Sequence, residues 1–167
     1  MSIDSFKEKI LIIFFSHSGN TRKIAKQIYA IIGGDLIEIE TTDKYPADHS
    51  EILEKARKEI AAGYRPALKT KIENISKYDL LFLGYPNWWG TIPTPVSAFL
   101  GEYDLSRITI APFCTHGTGG LAGTVEALKK QCPDSKVLNA LGIRNIRVDE
   151  AESDILKWLS HINEFMK

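Results

Sequence analysis

Hydroxyl, amide and glycine residues cluster in one short stretch of the chain, which reads Ser16, His17, Ser18, Gly19, Asn20 and Thr21. The apolar run Ile10–Phe15 precedes this stretch and a helical pattern follows it. Free backbone N–H groups at the start of a helix, together with hydroxyl donors, suit a phosphate group. The spacing matches neither the Gly-x-x-x-x-Gly-Lys-Ser/Thr loop nor the Gly-x-Gly-x-x-Gly motif. A polar turn with Asn20 or Thr21 as the helix cap is the simpler alternative.

Two further loops carry residue types that suit a planar ligand. The first combines two tryptophans with a proline and a glycine: Pro86, Asn87, Trp88, Trp89 and Gly90. Adjacent indoles in a loop indicate a cover for an apolar ring, although one of them filling the core and the other covering a helix is the alternative. The second is rich in glycine: Thr115, His116, Gly117, Thr118, Gly119 and Gly120. Glycines let the backbone approach a ligand closely, and a flexible turn with an exposed histidine is the alternative.

Alternating strand and helix patterns position these three loops. Apolar and β-branched runs predict five strands: Ile10–Phe15, Asp35–Glu40, Leu80–Gly84, Thr109–Cys114 and Lys136–Leu138, the last with a possible extension to Val148. Helical periodicity predicts Thr21–Ile32, Ser50–Ala62 with Ser50 as a cap, a short helix near Ile72–Ser76, Pro95–Gly101, Leu121–Gln131 and Ser153–Met166. Pro112 fits its strand awkwardly. The alternation predicts one α/β domain over residues 1–167, with an open parallel sheet whose loops after strands one, three and four meet at one edge.

Composition and charge exclude several classes of protein. The chain has 167 residues, with 21 Lys and Arg against 21 Asp and Glu, and this balance argues against a non-specific nucleic-acid binder. The apolar run Ile10–Phe15 is too short to span a bilayer and no signal cleavage pattern follows it. Cys114 and Cys132 lack the spacing of a metal or redox motif, so no metal site is predicted. We therefore expect a cytoplasmic protein with no membrane or nucleic-acid partner.

Three segments resemble known flavodoxin motifs. Phe15–Thr21 resembles the phosphate-binding signature of flavodoxins, and Gly84–Leu100 resembles a small flavodoxin-like group that carries a Pro-x-Trp-Trp-Gly loop. The resemblance covers nearly the whole chain. It implies a three-layer flavodoxin-like fold, with a five-stranded parallel sheet in the order 2-1-3-4-5 and helices on both faces, and one non-covalent FMN.

The resemblance also assigns roles by position. It implies that FMN phosphate is held by the side chains of Ser16, Ser18, Asn20 and Thr21 and by the backbone amides of His17 and Gly19. It implies that one side of the flavin ring is lined by Pro86, Asn87, Trp88, Trp89 and Gly90. It implies that the other side and the rim are covered by Thr115, His116, Gly117, Thr118, Gly119 and Gly120.

The chain departs from well-known flavodoxins in length and charge. The region Lys136–Val148 leaves no room for the insertion of long-chain flavodoxins, and the extra length lies in residues 41–79. The pairs Tyr45-Pro46 and Arg65-Pro66 either bring that segment toward the flavin or route it over the sheet edge, and we favour the routing. Electron-carrier flavodoxins are strongly acidic, whereas this chain is neutral, which disfavours their usual basic partners.

The expected function is electron transfer by an FMN-binding redox protein, with a partner protein or a small molecule as the acceptor. An FMN-dependent NAD(P)H:quinone or acceptor oxidoreductase is an alternative, in which His116 or Tyr85 assists protonation. A flavodoxin-like scaffold with weak cofactor binding is another. A receiver domain would need acidic residues at positions 14–16, and a low-molecular-weight phosphatase would need a Cys-x5-Arg motif; both are absent.

A dry aromatic loop beside a phosphate dianion predicts a lowered reduction potential for the fully reduced flavin. A backbone carbonyl within Asn87–Gly90 is the expected acceptor for the flavin N5–H.

Overall fold

The computed structural model describes residues 6–167 and shows an α/β sandwich of three layers. Its strands are β1 (Ile10–Phe14), β2 (Asp35–Glu38), β3 (Leu80–Pro86), β4 (Thr109–His116), β5 (Lys136–Val137) and β6 (Leu141–Arg144). Its helices are α1 (Asn20–Ile32), α2 (His49–Ala62), α3 (Thr94–Glu102), α4 (Thr124–Gln131) and α5 (Glu152–Met166), with short 3-10 helices at Ile75–Lys77 and Asn145–Glu150. The apolar runs and helical periodicities therefore predicted the type and order of the main elements.

The sheet is parallel throughout and follows the predicted order β2-β1-β3-β4-β5. The predicted fifth strand is divided, because β5 and β6 both pair with β4 in the same direction. The division falls opposite Pro112: Ile110 pairs with Val137, and the next pair is Phe113 with Leu141. Because proline has no backbone N–H, the ladder is interrupted there and one extra residue bulges from the fifth strand. The predicted extension of this strand is confirmed as far as Arg144, where β6 ends, and it is wrong from there to Val148, because 3-10 geometry begins at Asn145.

Apolar side chains from both faces of the sheet form two core layers. All five residues of β1 are buried, as expected for a central strand covered on each face. Leu11 and Ile13 belong to the layer under α2, α3 and α4, and Ile12 belongs to the layer under α1 and α5. Within residues 6–167, no helix is long and apolar enough to cross a membrane.

Three helices differ from the sequence predictions in their cap or by more than one residue in their start. Helix α1 follows Gly19, which has a φ of 97° and provides no side-chain cap, so the Asn20 or Thr21 cap is wrong. Helix α2 begins at His49, and the Asp48 carboxylate, not Ser50, caps it by accepting from Glu51 N–H. Helix α4 begins only after Gly123, because Ala122, with a φ of 44°, interrupts the predicted first turn.

Candidate functional site

Three loops meet at the carboxyl edge of the sheet, as the sequence predicts. Loop one (residues 15–19) follows β1, loop two (residues 87–93) follows β3, and loop three (residues 117–123) follows β4. A buried hydrogen bond of 2.7 Å joins the hydroxyls of Thr21, on α1, and Thr115, on β4. The Asn87 N–H donates to the Thr115 carbonyl at 2.9 Å. Strand β4 therefore fixes both the end of loop one and the start of loop two.

Loop one presents backbone donors at the start of α1. The Ser16 hydroxyl accepts from the N–H groups of Gly19 and Arg22, at 3.1 and 3.3 Å, and folds the loop back over the helix start. Four other amides have no acceptor among the described residues, and these belong to His17, Ser18, Asn20 and Thr21. Backbone donors without acceptors at a helix N-terminus suit an anion.

Two charged side chains border loop one, and the sequence analysis did not single them out. Arg22 Nε lies 2.6 Å from one Glu38 carboxylate oxygen, and Arg22 Nη2 lies 3.0 Å from the other. The hydrogen bond with Glu38 raises the pKa of the Arg22 guanidinium. The pair lines a groove of about 420 Å³ that also touches loop one. An arginine directly after the Ser16–Thr21 cluster was the available signal, but its partner lies 16 residues away on β2.

Loop two is a tight turn, because Trp88 and Thr91 exchange two backbone hydrogen bonds of 3.1 Å. The central residues Trp89 and Gly90 have φ values of 55° and 79°, as a type I′ turn requires. A left-handed tryptophan is uncommon and costs about 1 kcal/mol. Strained backbone of this kind is concentrated at functional sites, which supports loop two as part of one.

The two tryptophans have different environments. Trp88 is buried and makes edge contacts with Phe15 and Tyr45, with both pairs of ring centroids 5.3 Å apart. Trp89 is 56% exposed, and its indole N–H donates to the Leu53 carbonyl on α2. The packing alternative therefore describes Trp88 correctly, and the bond to α2 agrees with it for Trp89 as well. The ring of Trp89 is nevertheless more than half exposed, so of the two it is the one that a ligand at this edge can reach.

Asn87 joins loop two to loop three. Its side-chain carbonyl accepts from Gly90 N–H at 2.8 Å, and its amide donates to the Gly120 carbonyl at 2.9 Å. Gly123 N–H also donates to the Gly90 carbonyl at 2.9 Å, and a Cβ at Gly123 would lie 3.0 Å from that oxygen. Glycine at position 123 therefore permits the close approach of the two loops.

Loop three is open to solvent along most of its length. Gly117, Thr118 and Gly119 are exposed, and Gly117 has room for a Cβ. The His116 Nδ1–H donates to the Gly117 carbonyl at 2.9 Å, which folds the ring against its own loop. Tyr85 is fully buried and its hydroxyl does not reach the surface, so the suggested role of Tyr85 in protonation is contradicted.

The expected routing of residues 41–79 over the sheet edge is confirmed for residues 68–70, which bond to the chain at the end of β2, but it is wrong for Tyr45-Pro46. Tyr45 packs edge-on against Phe15 and Trp88, and the Pro46 carbonyl accepts from His17 Nε2–H at 2.8 Å. The Tyr45 hydroxyl donates to the buried Glu59 carboxylate at 2.6 Å. Burial, followed by this hydrogen bond, raises the pKa of Tyr45. The segment therefore supports both loop one and loop two.

The buried cysteine of β4 has an unreactive thiol. Cys114 is 1% exposed and burial raises the pKa of its thiol to about 12. Since thiolates rather than thiols react, Cys114 is not suited to thiol redox chemistry.

Comparisons with known proteins agree with this architecture. A family model described as flavodoxin matches residues 9–162. A candidate flavoprotein from Bacteroides eggerthii is 30% identical, with a TM-score of 0.76, and the match covers 90% of this chain and 99% of that one. A flavoprotein from Lactobacillus acidophilus, solved in complex with FMN, is 25% identical with a TM-score of 0.73, and the match covers 86% and 97% of the two chains.

More distant structures share the fold alone. Flavodoxin from Megasphaera elsdenii is 18% identical with a TM-score of 0.57, and the match covers 90% of this chain and 97% of that one. No curated protein sequence matches the chain significantly. Because the family model spans most of the sequence and the sheet order agrees with it, the chain belongs to the flavodoxin family.

Proposed function

We propose that the carboxyl edge of the sheet binds FMN and that the protein transfers electrons through it. The observation that carries the proposal is the set of four backbone N–H groups in and after loop one that lack acceptors within residues 6–167. A phosphate group provides acceptors for such donors. The exposed ring of Trp89 lies on the neighbouring loop and provides an aromatic surface for the flavin. The FMN complex of the Lactobacillus acidophilus relative supports the choice of cofactor.

The residues that hold the phosphate follow from the donors of loop one. The amides of His17, Ser18, Asn20 and Thr21 donate to it, with the Ser18 and Asn20 side chains nearby. Ser16 shapes the loop, because its hydroxyl already accepts from Gly19 and Arg22. The Thr21 hydroxyl is buried in its hydrogen bond with Thr115, so its part is to hold the end of loop one in place.

Loops two and three hold the ring. Bound FMN supplies the redox chemistry, and the chain orients the ring and provides an acceptor for its N5–H. The Trp88 and Gly90 carbonyls already accept from Thr91 and Gly123. The Asn87 and Trp89 carbonyls have no donor in the described part of the chain, so they are the two candidates within Asn87–Gly90.

The absorption spectrum of the purified protein and an FMN titration test this proposal. We expect flavin bands in the protein as isolated, and quenching of FMN fluorescence when apoprotein is titrated. A colourless protein that does not quench FMN would instead support the scaffold alternative.

An FMN-dependent NAD(P)H:acceptor oxidoreductase is a second candidate, favoured by the absence of charged residues from loops two and three themselves. Residues 80–101 and 108–125 contain no Asp, Glu, Lys or Arg. Uncharged loops with an exposed tryptophan suit a neutral planar acceptor such as a quinone better than a charged protein. Direct bleaching of the flavin bands by NADPH, followed by turnover with a quinone, would favour this function over a carrier.

The two candidates also differ in their response to salt. A carrier that docks a charged partner reacts more slowly as ionic strength rises, because the attraction is screened. Reduction of a neutral quinone at these loops should keep its rate, because the quinone carries no charge to be screened. A cytoplasmic location and the absence of nucleic-acid and membrane partners remain predictions, which cell fractionation and binding assays can check.

A further inference from the structure

The ion pair between Arg22 and Glu38 leaves one arm of the guanidinium without an acceptor. Glu38 binds Nε and Nη2, the two nitrogens on one edge of the arginine. The third nitrogen, Nη1, has no acceptor among the described residues and lies 3.6 Å from the position that a Cβ on Gly19 would occupy. Its two N–H groups are therefore held beside the loop that carries the free backbone amides.

Several contacts fix this position of the guanidinium. The Arg22 backbone N–H donates to the Ser16 hydroxyl, which places the residue in the first turn of α1. Its side chain is 39% exposed and that of Glu38 is 27% exposed, so the pair is partly shielded from solvent. A bidentate arginine–carboxylate pair has a defined geometry, and here it turns the remaining arm toward loop one.

We propose that Arg22 Nη1 is a further ligand of the FMN phosphate and that Glu38 is the positioning residue that orients it. The inference rests on the proposed binding of FMN at loop one. A guanidinium recognises a phosphate by charge and by hydrogen bonds, so Arg22 makes the site selective for the phosphorylated flavin. Riboflavin has the same ring but no phosphate, and it does not gain from this contact.

The ratio of the dissociation constants for FMN and riboflavin tests the proposal. Apoprotein of the wild type, Arg22→Gln and Lys23→Gln is titrated with each flavin by fluorescence quenching. Lys23 is the matched control, because it is the next cation on α1 but pairs with Asp149, with Nζ 3.2 Å from a carboxylate oxygen. A second measurement determines how well inorganic phosphate competes with FMN.

Arg22→Gln should weaken FMN binding about tenfold, the loss typical of one partly exposed charge-assisted hydrogen bond. Riboflavin binding should change less than about twofold, phosphate should compete less well, and Lys23→Gln should bind as the wild type does. Equal losses for both flavins would show that Arg22 only supports the fold, and unchanged FMN binding would also overturn the proposal. If wild-type protein binds neither flavin, the proposed function itself has failed.

Discussion

The buried pair of hydroxyls between α1 and β4 permits a quantitative test of how loops one and three are joined. Thr21 and Thr115 are each 1% exposed and their hydroxyl oxygens are 2.7 Å apart. Either Thr21→Val or Thr115→Val alone preserves the shape of the side chain but leaves the other buried hydroxyl without a partner. Each single change should therefore cost about 1–3 kcal/mol of the free energy of unfolding.

The double variant should be more stable than the sum of the two losses implies. With both hydroxyls removed, no buried polar group is left unpaired. The double variant should therefore lose about as much free energy of unfolding as one single variant, or less. The coupling energy should then be about 1–3 kcal/mol. With an m-value of about 2 kcal/mol/M in urea, a 2 kcal/mol loss lowers the unfolding midpoint by about 1 M.

The assay is urea unfolding of the apoprotein, followed by tryptophan fluorescence, for the wild type and the three variants. Thr109→Val is the matched control, since it lies on the same strand and its hydroxyl has no partner among the described residues. It should move the midpoint little. Single variants whose losses simply add in the double variant would refute the reasoning, because they would show that the two hydroxyls do not depend on each other.

Three further predictions follow from individual contacts. Asn87→Ala removes the hydrogen bonds to Gly90 and Gly120, so it should lower the free energy of unfolding by about 1–2 kcal/mol and weaken FMN binding, measured by urea unfolding and fluorescence titration. Cys114 should resist Ellman's reagent at pH 8 until urea unfolds the protein, because a thiol pKa of about 12 leaves only about one thiol in ten thousand ionised; rapid labelling of the folded protein would contradict this. Burial and then the hydrogen bond with Asp35 raise the pKa of Tyr78 from 10.0 to about 12. The contribution of the Tyr78 hydroxyl to the free energy of unfolding is therefore complete below pH 10 and is lost as pH rises toward 12. The wild type should lose more stability between pH 10 and pH 12 than a Tyr78→Phe variant does, as urea unfolding at each pH can measure.

The sequence predicted the sheet well because its strongest signals are local. The continuous apolar run of β1 and the glycine-bounded helices can be read from periodicity alone. Pro112 also indicated an irregularity in the sheet. Periodicity could not show, however, that its missing N–H divides the partner strand into β5 and β6 and leaves β4 continuous. The cap at Asp48 was missed because Ser50 is an equally good cap by residue type, and only backbone geometry distinguishes them.

The site was predicted less completely because its contacts join distant residues. The three loops were found from composition, but the different roles of Trp88 and Trp89 depend on Tyr45 and Leu53, which belong to the segment we expected to pass elsewhere. Nothing local pairs Arg22 with Glu38. Local chemistry therefore located the site, whereas the positioning of its side chains depends on tertiary packing.

An NMR titration of ¹⁵N-labelled apoprotein with FMN tests the central claim most directly, because it reports on each amide separately. We expect the largest shifts at the backbone amides of Ser18 and Asn20 and at the Trp89 indole. Riboflavin should shift the indole resonance but leave those of the two amides nearly unchanged. Binding of FMN that leaves loop one unaffected, with shifts confined to the grooves along α5, would contradict it.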